Sequence, residues 1–304
     1  MKVSLVKDRG DLLIASAARA SFNRSADMYS EEQNQKLISF LVNASPQHWA
    51  PLAHVRLTLR LEHWMVIYKK LNAYNKAGMI EVRQHNGVVD VSHSLWGWYI
   101  MLRDRKVHFS IVDSVIDHLQ VIAPVASKVL ELDKYRARDM HEKGYVQVHQ
   151  APVSYETDFV TLRVTCPIVI ARQLFKHSVG FVYSEASGRY IEYDKIYKPT
   201  EFHSKPASRK QGSGAPLGTL RKAIAGAVMS VSHAVSYASY IALHKWLGVA
   251  VEEARYTMPL STATTFVVTA ARADWQRVLD HRLSKDAQTD IQVLAGLIAD
   301  ELNK

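Results

Sequence analysis

Ala171-Arg-Gln-Leu-Phe-Lys-His177, with Ser184-Glu-Ala-Ser-Gly-Arg-Tyr190 close behind it, is the stretch on which the fold turns. The first run reads as helix. Pro167 suits a first helical position, and Ile168, Val169, Leu174 and Phe175 supply apolar contacts. The second run is rich in Ser, Gly and other small residues and reads as a loop. Together they place Gln173, Lys176, His177, Glu185, Arg189 and two serines within a short length of chain. That is a dense set of partners for anions and amides in a segment that also packs. A segment serving only the core has no need of it.

Upstream, residues 1–65 read as strand, short strand, helix, loop and strand. Leu12 to Arg19 is apolar and small, and Glu31 to Leu41 is helical. His54 to Leu61 alternates as a half-buried strand does, and Phe159 to Val164 repeats that character. Each is followed by an amphipathic helical pattern ending in basic residues, at Tyr68-Lys-Lys70 and at Lys176-His177. A decayed repeat and simple convergence both account for this. Between them, at about 66–152, Asn86-Gly87 reads as a tight turn between two short strands, and Ser92 to Arg103 reads as helix. Pro124 to His149 is charged and irregularly helical.

Downstream, 191–217 is a polar link. It is either a plain linker or a mobile cover over an anion, since Lys205, Arg209 and Lys210 cluster there. The C-terminal third is mostly helical. Leu220 to Leu247 is one long helix that Gly248 ends, and Val251 to Tyr256 is a short one ended by Pro259. Thr264 to Thr269 is a β-branched strand. Asp274 to His281 and Ala287 to Leu302 are the last two helices, and the final one turns Ile291, Leu294, Leu297 and Ile298 inward.

Lys and Arg number 38 against 29 Asp and Glu, a net charge of +9 with no long basic run. Dispersed charge of this kind fits phosphate-bearing small ligands as well as it fits nucleic acid. Cys166 is the sole cysteine, which excludes a disulfide within one chain and a thiolate metal cluster. Beside Pro167 at an apolar strand end, it reads as a buried, inert thiol. The 14 histidines form no His-Glu-x-x-His or close His-x-His pattern, so no metal site is expected. There is no Gly-x-Gly-x-x-Gly and no Walker loop, so a nucleotide must be held by other means. No signal-peptide pattern and no apolar run of about 18 residues is present, which predicts a cytoplasmic protein.

Arg189, Arg255 and Arg282 lie in apolar or tightly turned surroundings. A guanidinium offers a rigid fork of donors suited to phosphate or to a uracil edge, and its charge persists when desolvated. The alternative is that Arg255 and Arg282 merely pair with Glu252, Glu253, Asp280 or Asp286.

Arg172-Gln173-x-x-Lys176-His177 with Glu185-x-Ser187-x-Arg189-Tyr190 resembles the signature of the flavin-dependent thymidylate synthases, Arg-Gln-x-x-Arg-His-Arg followed by Ser-x-Arg-Tyr. Further pieces agree in the family's order. These are Ala17-Ala-Arg-Ala-Ser21, His48 with Pro51 and His54, Glu253-Ala-Arg255 with Met258-Pro259, and Arg282 with Ala287-Gln288 and Ile291. The likeness covers about 1–62 and 155–303.

The resemblance implies an α+β, mixed α/β thymidylate synthase-complementing protein fold: one domain over 1–304 with a helical C-terminal third and an insertion at about 66–152. It implies methylation of dUMP at uracil C5 to give dTMP. Methylenetetrahydrofolate donates the carbon, NADPH-reduced FAD donates the hydride, and no cysteine attacks C6. It also implies a homotetramer whose active sites are shared between chains, with no membrane and no nucleic acid as partner. Carried over residue by residue, Arg282 polarises the uracil and is the catalytic position. Gln173, Glu185, Ser187, Gly188, Arg189 and Arg255 fall on the substrate side, with backbone donors of Ser187 and Gly188 meeting the phosphate. Ser21, His54, Lys176, His177, Ser178 and Gln288 fall on the cofactor side.

The departures cluster on that cofactor side. Lys176 and Ser178 stand where the family has arginines, Ala53 replaces a glutamate, and Ala271 and Ala273 fall on the family's Asn-x-Arg. The loop from Ser178 to Ser187 is one residue longer than the family's. Two other readings therefore stay open: a related enzyme attaching a different group at pyrimidine C5, and a non-catalytic nucleotide- or nucleic-acid-binding protein.

Overall fold

The computed structural model describes residues 1–61, 81–85, 88–107, 109–136, 159–206 and 213–304. The expected turn at Asn86-Gly87, the basic helix end at Tyr68-Lys-Lys70, the charged run from 137 to His149, and Arg209 and Lys210 lie outside these. In chain order the regular elements are β1 (Lys2–Leu5), α1 (Gly10–Arg19), α2 (Glu31–Asn43), β2 (Arg56–Leu61), β3 (Glu81–His85), β4 (Val88–Ser94), α3 (Leu95–Arg103), α4 (Phe109–Ile122), α5 (Pro124–Val129), β5 (Phe159–Pro167), α6 (Ile168–Phe175), β6 (Val182–Glu185), α7 (Thr219–Ile241), α8 (Val251–Ala254), β7 (Ala263–Ala271), α9 (Arg272–Arg282) and α10 (Thr289–Leu302). This is a mixed helix and sheet fold, as expected. The chain divides into two compact units. One comprises Met1–Val6, Ala20–Asn23 and Val160–Lys304; the other comprises Lys7–Arg19 and Arg24–Phe159.

The first unit is built on a four-stranded sheet of order β1-β5-β7-β6. β1 runs antiparallel to β5 with Val3 opposite Val164, and β6 antiparallel to β7 with Glu185 opposite Phe266. Alternation along β5 sends Val160, Leu162, Val164 and Cys166 into one core. Its threonines meet β7 instead: Thr161 and Thr269 hydroxyls lie 2.7 Å apart, and Thr165 and Thr265 2.9 Å apart. Helices α6, α9 and α10 cover the apolar face with Leu174, Trp275, Val278, Ile291 and Leu294. The Trp275 indole N–H donates to the Val160 carbonyl at 3.2 Å, so the buried ring leaves no unpaired donor. On α10 the buried stripe is Ile291, Leu294, Ala295 and Ile298, spaced as one helix face; Leu297 sits at its flank, half-buried.

In the second unit β2, β4 and β3 form an antiparallel sheet in that order. Leu57, Leu59, Leu61, Val89 and Val91 are buried. The other face is polar: Arg60 grips Asp90 through two bonds of 2.9 and 3.0 Å, and Thr58 donates to Ser92 at 3.0 Å. Helix α3 begins at Leu95, later than the Ser92 expected, because β4 runs on to Ser94. The Ser94 hydroxyl then caps the helix by accepting from the Gly97 N–H at 3.1 Å. Leu12 to Arg19, expected as a short strand, is part of α1. Its alanines favour helix, and Leu13, Ile14 and Ala17 share its buried side. Burial alone drives the His54 imidazole down to about 3, so this 1% exposed side chain is neutral.

Candidate functional site

The quoted stretch leaves β5 at Pro167, which serves as the N-cap of α6 rather than its first residue. The first N–H groups of a helix lack partners within it. Here Ile168 and Val169 donate to the carbonyls of Thr262 and Leu260, each at 2.9 Å. Ile170, Ala171 and Leu174 enter the core, which leaves Arg172, Gln173 and Lys176 off the buried face. The helix ends under Tyr183, whose hydroxyl is a shared donor to the carbonyls of Leu174 (3.1 Å) and His177 (3.0 Å). Burial pushes that phenol well up, so it keeps its proton.

The second run was expected to be loop throughout. Its first two residues instead finish β6, because Ser184 and Glu185 pair with Val267 and Phe266. The loop proper starts at Ala186, which donates to the Thr265 carbonyl at 2.7 Å. Ser187 donates to the Ser21 carbonyl at 2.9 Å, which brings Ser21 beside this turn. Tyr190 and Ile191 donate back to the Ser187 carbonyl at 2.9 and 3.1 Å. Tyr190 stacks on Phe22 with centroids 4.8 Å apart. The Arg189 N–H reaches the Ser187 hydroxyl at 3.3 Å, so among the described residues the Gly188 N–H is the turn's uncommitted donor.

Two clusters result in this unit. The first is a recess of about 430 Å³, the size of a small-ligand site. Arg172, Glu185, Ser187, Gly188 and Arg255 line it together with Ile168, Phe175, Ala186 and Tyr193. Arg255 enters from the end of α8, its Nε donating to the Glu252 carbonyl at 3.1 Å. Glu185 opens into the recess and keeps an exposed side chain. Desolvation raises its carboxyl above the usual range, although the Thr264 hydroxyl donates to it at 2.6 Å and Arg172 lies near. Cys166 is buried behind this wall, and burial, with Glu185 nearby, pushes its thiol up to about 12. It is no nucleophile at neutral pH.

The second cluster lies at the end of α6. Arg282 donates through Nε to His177 Nε2 at 2.9 Å and through Nη2 to the Gln173 carbonyl at 3.0 Å. The Gln173 amide in turn donates to Gln288 at 2.6 Å. Because His177 Nε2 accepts, its ring proton sits on Nδ1. Desolvation, then the charge of Arg282, holds the imidazole below its usual range. Lys176 and Ser178 are exposed beside it.

The structure thus gathers most of the expected residues into two groups and leaves Arg282 off the lining of the recess. Arg189 also stays off that lining: it pairs with Glu252 at 2.8 Å, with both side chains about half exposed (58% and 49%). Neither Arg255 nor Arg282 pairs with a carboxylate among the described residues; Arg255 bonds the Glu252 backbone carbonyl, and Arg282 bonds His177 and the Gln173 carbonyl. Tyr193 was missed. A tyrosine three residues past Arg-Tyr carries no chemical pattern, and only the fold brings it to the recess. No group of three or more His, Cys, Asp or Glu is placed to hold a metal among the described residues.

A family model described as Thymidylate synthase complementing protein matches residues 131–304. A flavin-dependent thymidylate synthase of Thermus thermophilus is 30% identical over 191 residues, 62% of this chain and 69% of its own. One from Thermosipho melanesiensis is 33% identical over 156 residues, 51% of this chain and 67% of its own. One from Aquifex aeolicus aligns with 98% of this chain and 95% of its own length at 26% identity. Among solved structures, the UMP/dUMP methylase PolB from Streptomyces cacaoi, bound with 5-Br dUMP, covers 99% of this chain and 89% of its own. It does so at 17% identity with a TM-score of 0.44, too slight a likeness to argue from.

Proposed function

This chain belongs to the thymidylate synthase complementing protein family, and from that premise we propose that it methylates dUMP at uracil C5 to give dTMP, as a flavin-dependent enzyme. The observation that carries the reading is the recess. It sets the Arg255 guanidinium, which has no carboxylate partner, beside a turn whose Gly188 N–H is uncommitted. A charged fork and a backbone donor on one wall are what a nucleotide phosphate requires. Arg189, next in the chain to Gly188, is in a solvent-exposed ion pair with Glu252, which a phosphate can displace at small cost.

Arg282 is the residue assigned to the uracil. Held by His177 and the Gln173 carbonyl, it keeps N–H groups to spare. A preset cation beside an oxygen that gains charge lowers the barrier without reorganising. His177 takes part as a neutral acceptor that fixes the guanidinium. Cys166, buried and protonated, leaves the reaction without an enzymatic thiolate. The donor set at the end of α6 fits a dinucleotide cofactor. Lys176 and Ser178 are exposed there, and the His177 ring carries a proton on Nδ1. With Ser21 and Gln288 they are the residues assigned to FAD; His54, expected with them, is a buried side chain of the other unit. When bound and reduced by NADPH, the flavin supplies the hydride that completes the methyl group, and methylenetetrahydrofolate supplies the carbon. The reading treats 1–304 as one thymidylate synthase-like domain with an insertion at about 66–152, acting in the cytoplasm. No helix among the described residues is long and apolar enough to cross a membrane.

The same reading makes the enzyme a homotetramer with sites completed by residues of more than one chain. Helix α7 supports this. Of its 23 residues only Tyr240 is buried, and Leu220, Ile224, Val228, Val231 and Val235 form an exposed stripe. An apolar stripe of that length is what a second copy of the same helix covers. The mass in solution by light scattering checks it.

Incubation with dUMP, methylenetetrahydrofolate, NADPH and FAD, followed by the mass of the nucleotide, tests the function. A product one methyl heavier is expected. A hydroxymethyl product points to the other C5 chemistry, and oligonucleotide binding without turnover points to a binding protein.

A further inference from the structure

Tyr193 is fixed from both sides. Its backbone N–H points to the hydroxyl of the fully buried Tyr240 at 3.4 Å, and the two rings lie 6.3 Å apart. Its neighbour Glu192 takes an ion pair from Lys245 and a contact from His244 at 3.2 Å. The segment after the Ser187 turn is therefore anchored on α7 and the turn of helix that follows it. From that anchor the phenol reaches into the recess and occupies the space where a side chain on Gly188 would stand. A Cβ there would lie 2.3 Å from the Tyr193 hydroxyl and 2.8 Å from its ring carbon. Arg255 lines the same recess, and its guanidinium lies near enough to the Tyr193 hydroxyl to act on it electrostatically. A guanidinium can only donate, so toward Arg255 the phenol oxygen is the acceptor and its own proton stays available.

We propose that Tyr193 is a positioning residue for the nucleotide phosphate, its hydroxyl orienting the Arg255 guanidinium while its ring reserves Gly188 as bare backbone. This rests on the reading of the recess as the dUMP site. Burial raises the phenol above its usual range, with Arg255 pulling the other way, so it acts as a neutral hydroxyl at working pH. Glu185, the other titratable group facing it, adds to that rise. Removing the hydroxyl should leave the ring packing and free the guanidinium to wander.

The test is calorimetric titration of the wild type, Tyr193→Phe, Arg255→Ala and the double variant with dUMP and with deoxyuridine, alongside KM and kcat. Tyr193→Phe should weaken dUMP about tenfold and raise KM to match, with kcat within about twofold. Deoxyuridine binding should not change, and the loss should vanish in the Arg255→Ala background. Equal losses for dUMP and deoxyuridine, a loss that persists without Arg255, or no loss at all would overturn the role. A wild type that binds dUMP no better than deoxyuridine would overturn the phosphate reading of the recess, and this role with it.

Discussion

The two clusters of the first unit are built from the same short stretch of chain, yet they differ in how their donors are held. In the recess, Arg255 is braced by the Glu252 carbonyl, and the turn at Ser187 is closed by backbone bonds. At the end of α6, Arg282 is braced equally well by His177 and Gln173, but Lys176 and Ser178 beside it stand exposed. Braced donors cost little to order when a ligand arrives, whereas a free lysine surrenders its side-chain entropy. The half assigned to the nucleotide is preorganised, and the half assigned to the flavin is left thin.

The largest break in this comparison should come from Arg282→Ala. If the guanidinium stabilises developing charge on the uracil, kcat should fall about 100- to 1,000-fold with little change in melting temperature. Unchanged kcat at saturating substrates would remove the role.

Arg255→Ala acts on binding. Loss of a charge-assisted bond to phosphate should weaken dUMP by about 10- to 100-fold and leave deoxyuridine almost untouched, as read by calorimetry.

Ser178→Arg sharpens the contrast from the other side. Restoring a planar fork where the family carries one should tighten added FAD by about five- to tenfold, measured by flavin fluorescence, without altering dUMP binding.

The smallest effect is a titration. His177 is held below the usual imidazole range by desolvation and by Arg282. The folded state therefore resists a proton that the unfolded chain accepts below about pH 6.5, and stability drains as pH falls through that region. Arg282→Gln removes a neighbouring charge, so the His177 midpoint, followed by NMR, should move upward. A downward or absent shift would show that Arg282 does not act on the ring.

Much of this was legible in the sequence because it rests on local chemistry. The apolar alternation of Phe159 to Val164 and the core face of the last helix appear where periodicity puts them, and the Arg172–Tyr190 signature marks both clusters. What escaped depended on long-range contact. Leu12 to Arg19 is short and apolar, so periodicity alone did not distinguish strand from helix. Ser184 and Glu185 look like loop residues, and pairing with β7 makes them strand. Tyr193 has no motif, and α7 and Gly188 give it its place. That Arg189 takes Glu252, while Arg282 takes a histidine, follows from the approach of segments far apart in the chain.

The donors assigned to the nucleotide are held in place by the fold, and those assigned to the flavin are not. The most direct measurement is to dialyse the purified protein extensively, record its flavin absorbance, and then titrate it with FAD and with dUMP side by side. Little retained flavin, saturable binding of added FAD and undiminished binding of dUMP are expected. Full FAD occupancy surviving dialysis would contradict the thin flavin half, and retained dUMP binding with no FAD binding at any concentration would contradict flavin-dependent synthesis itself.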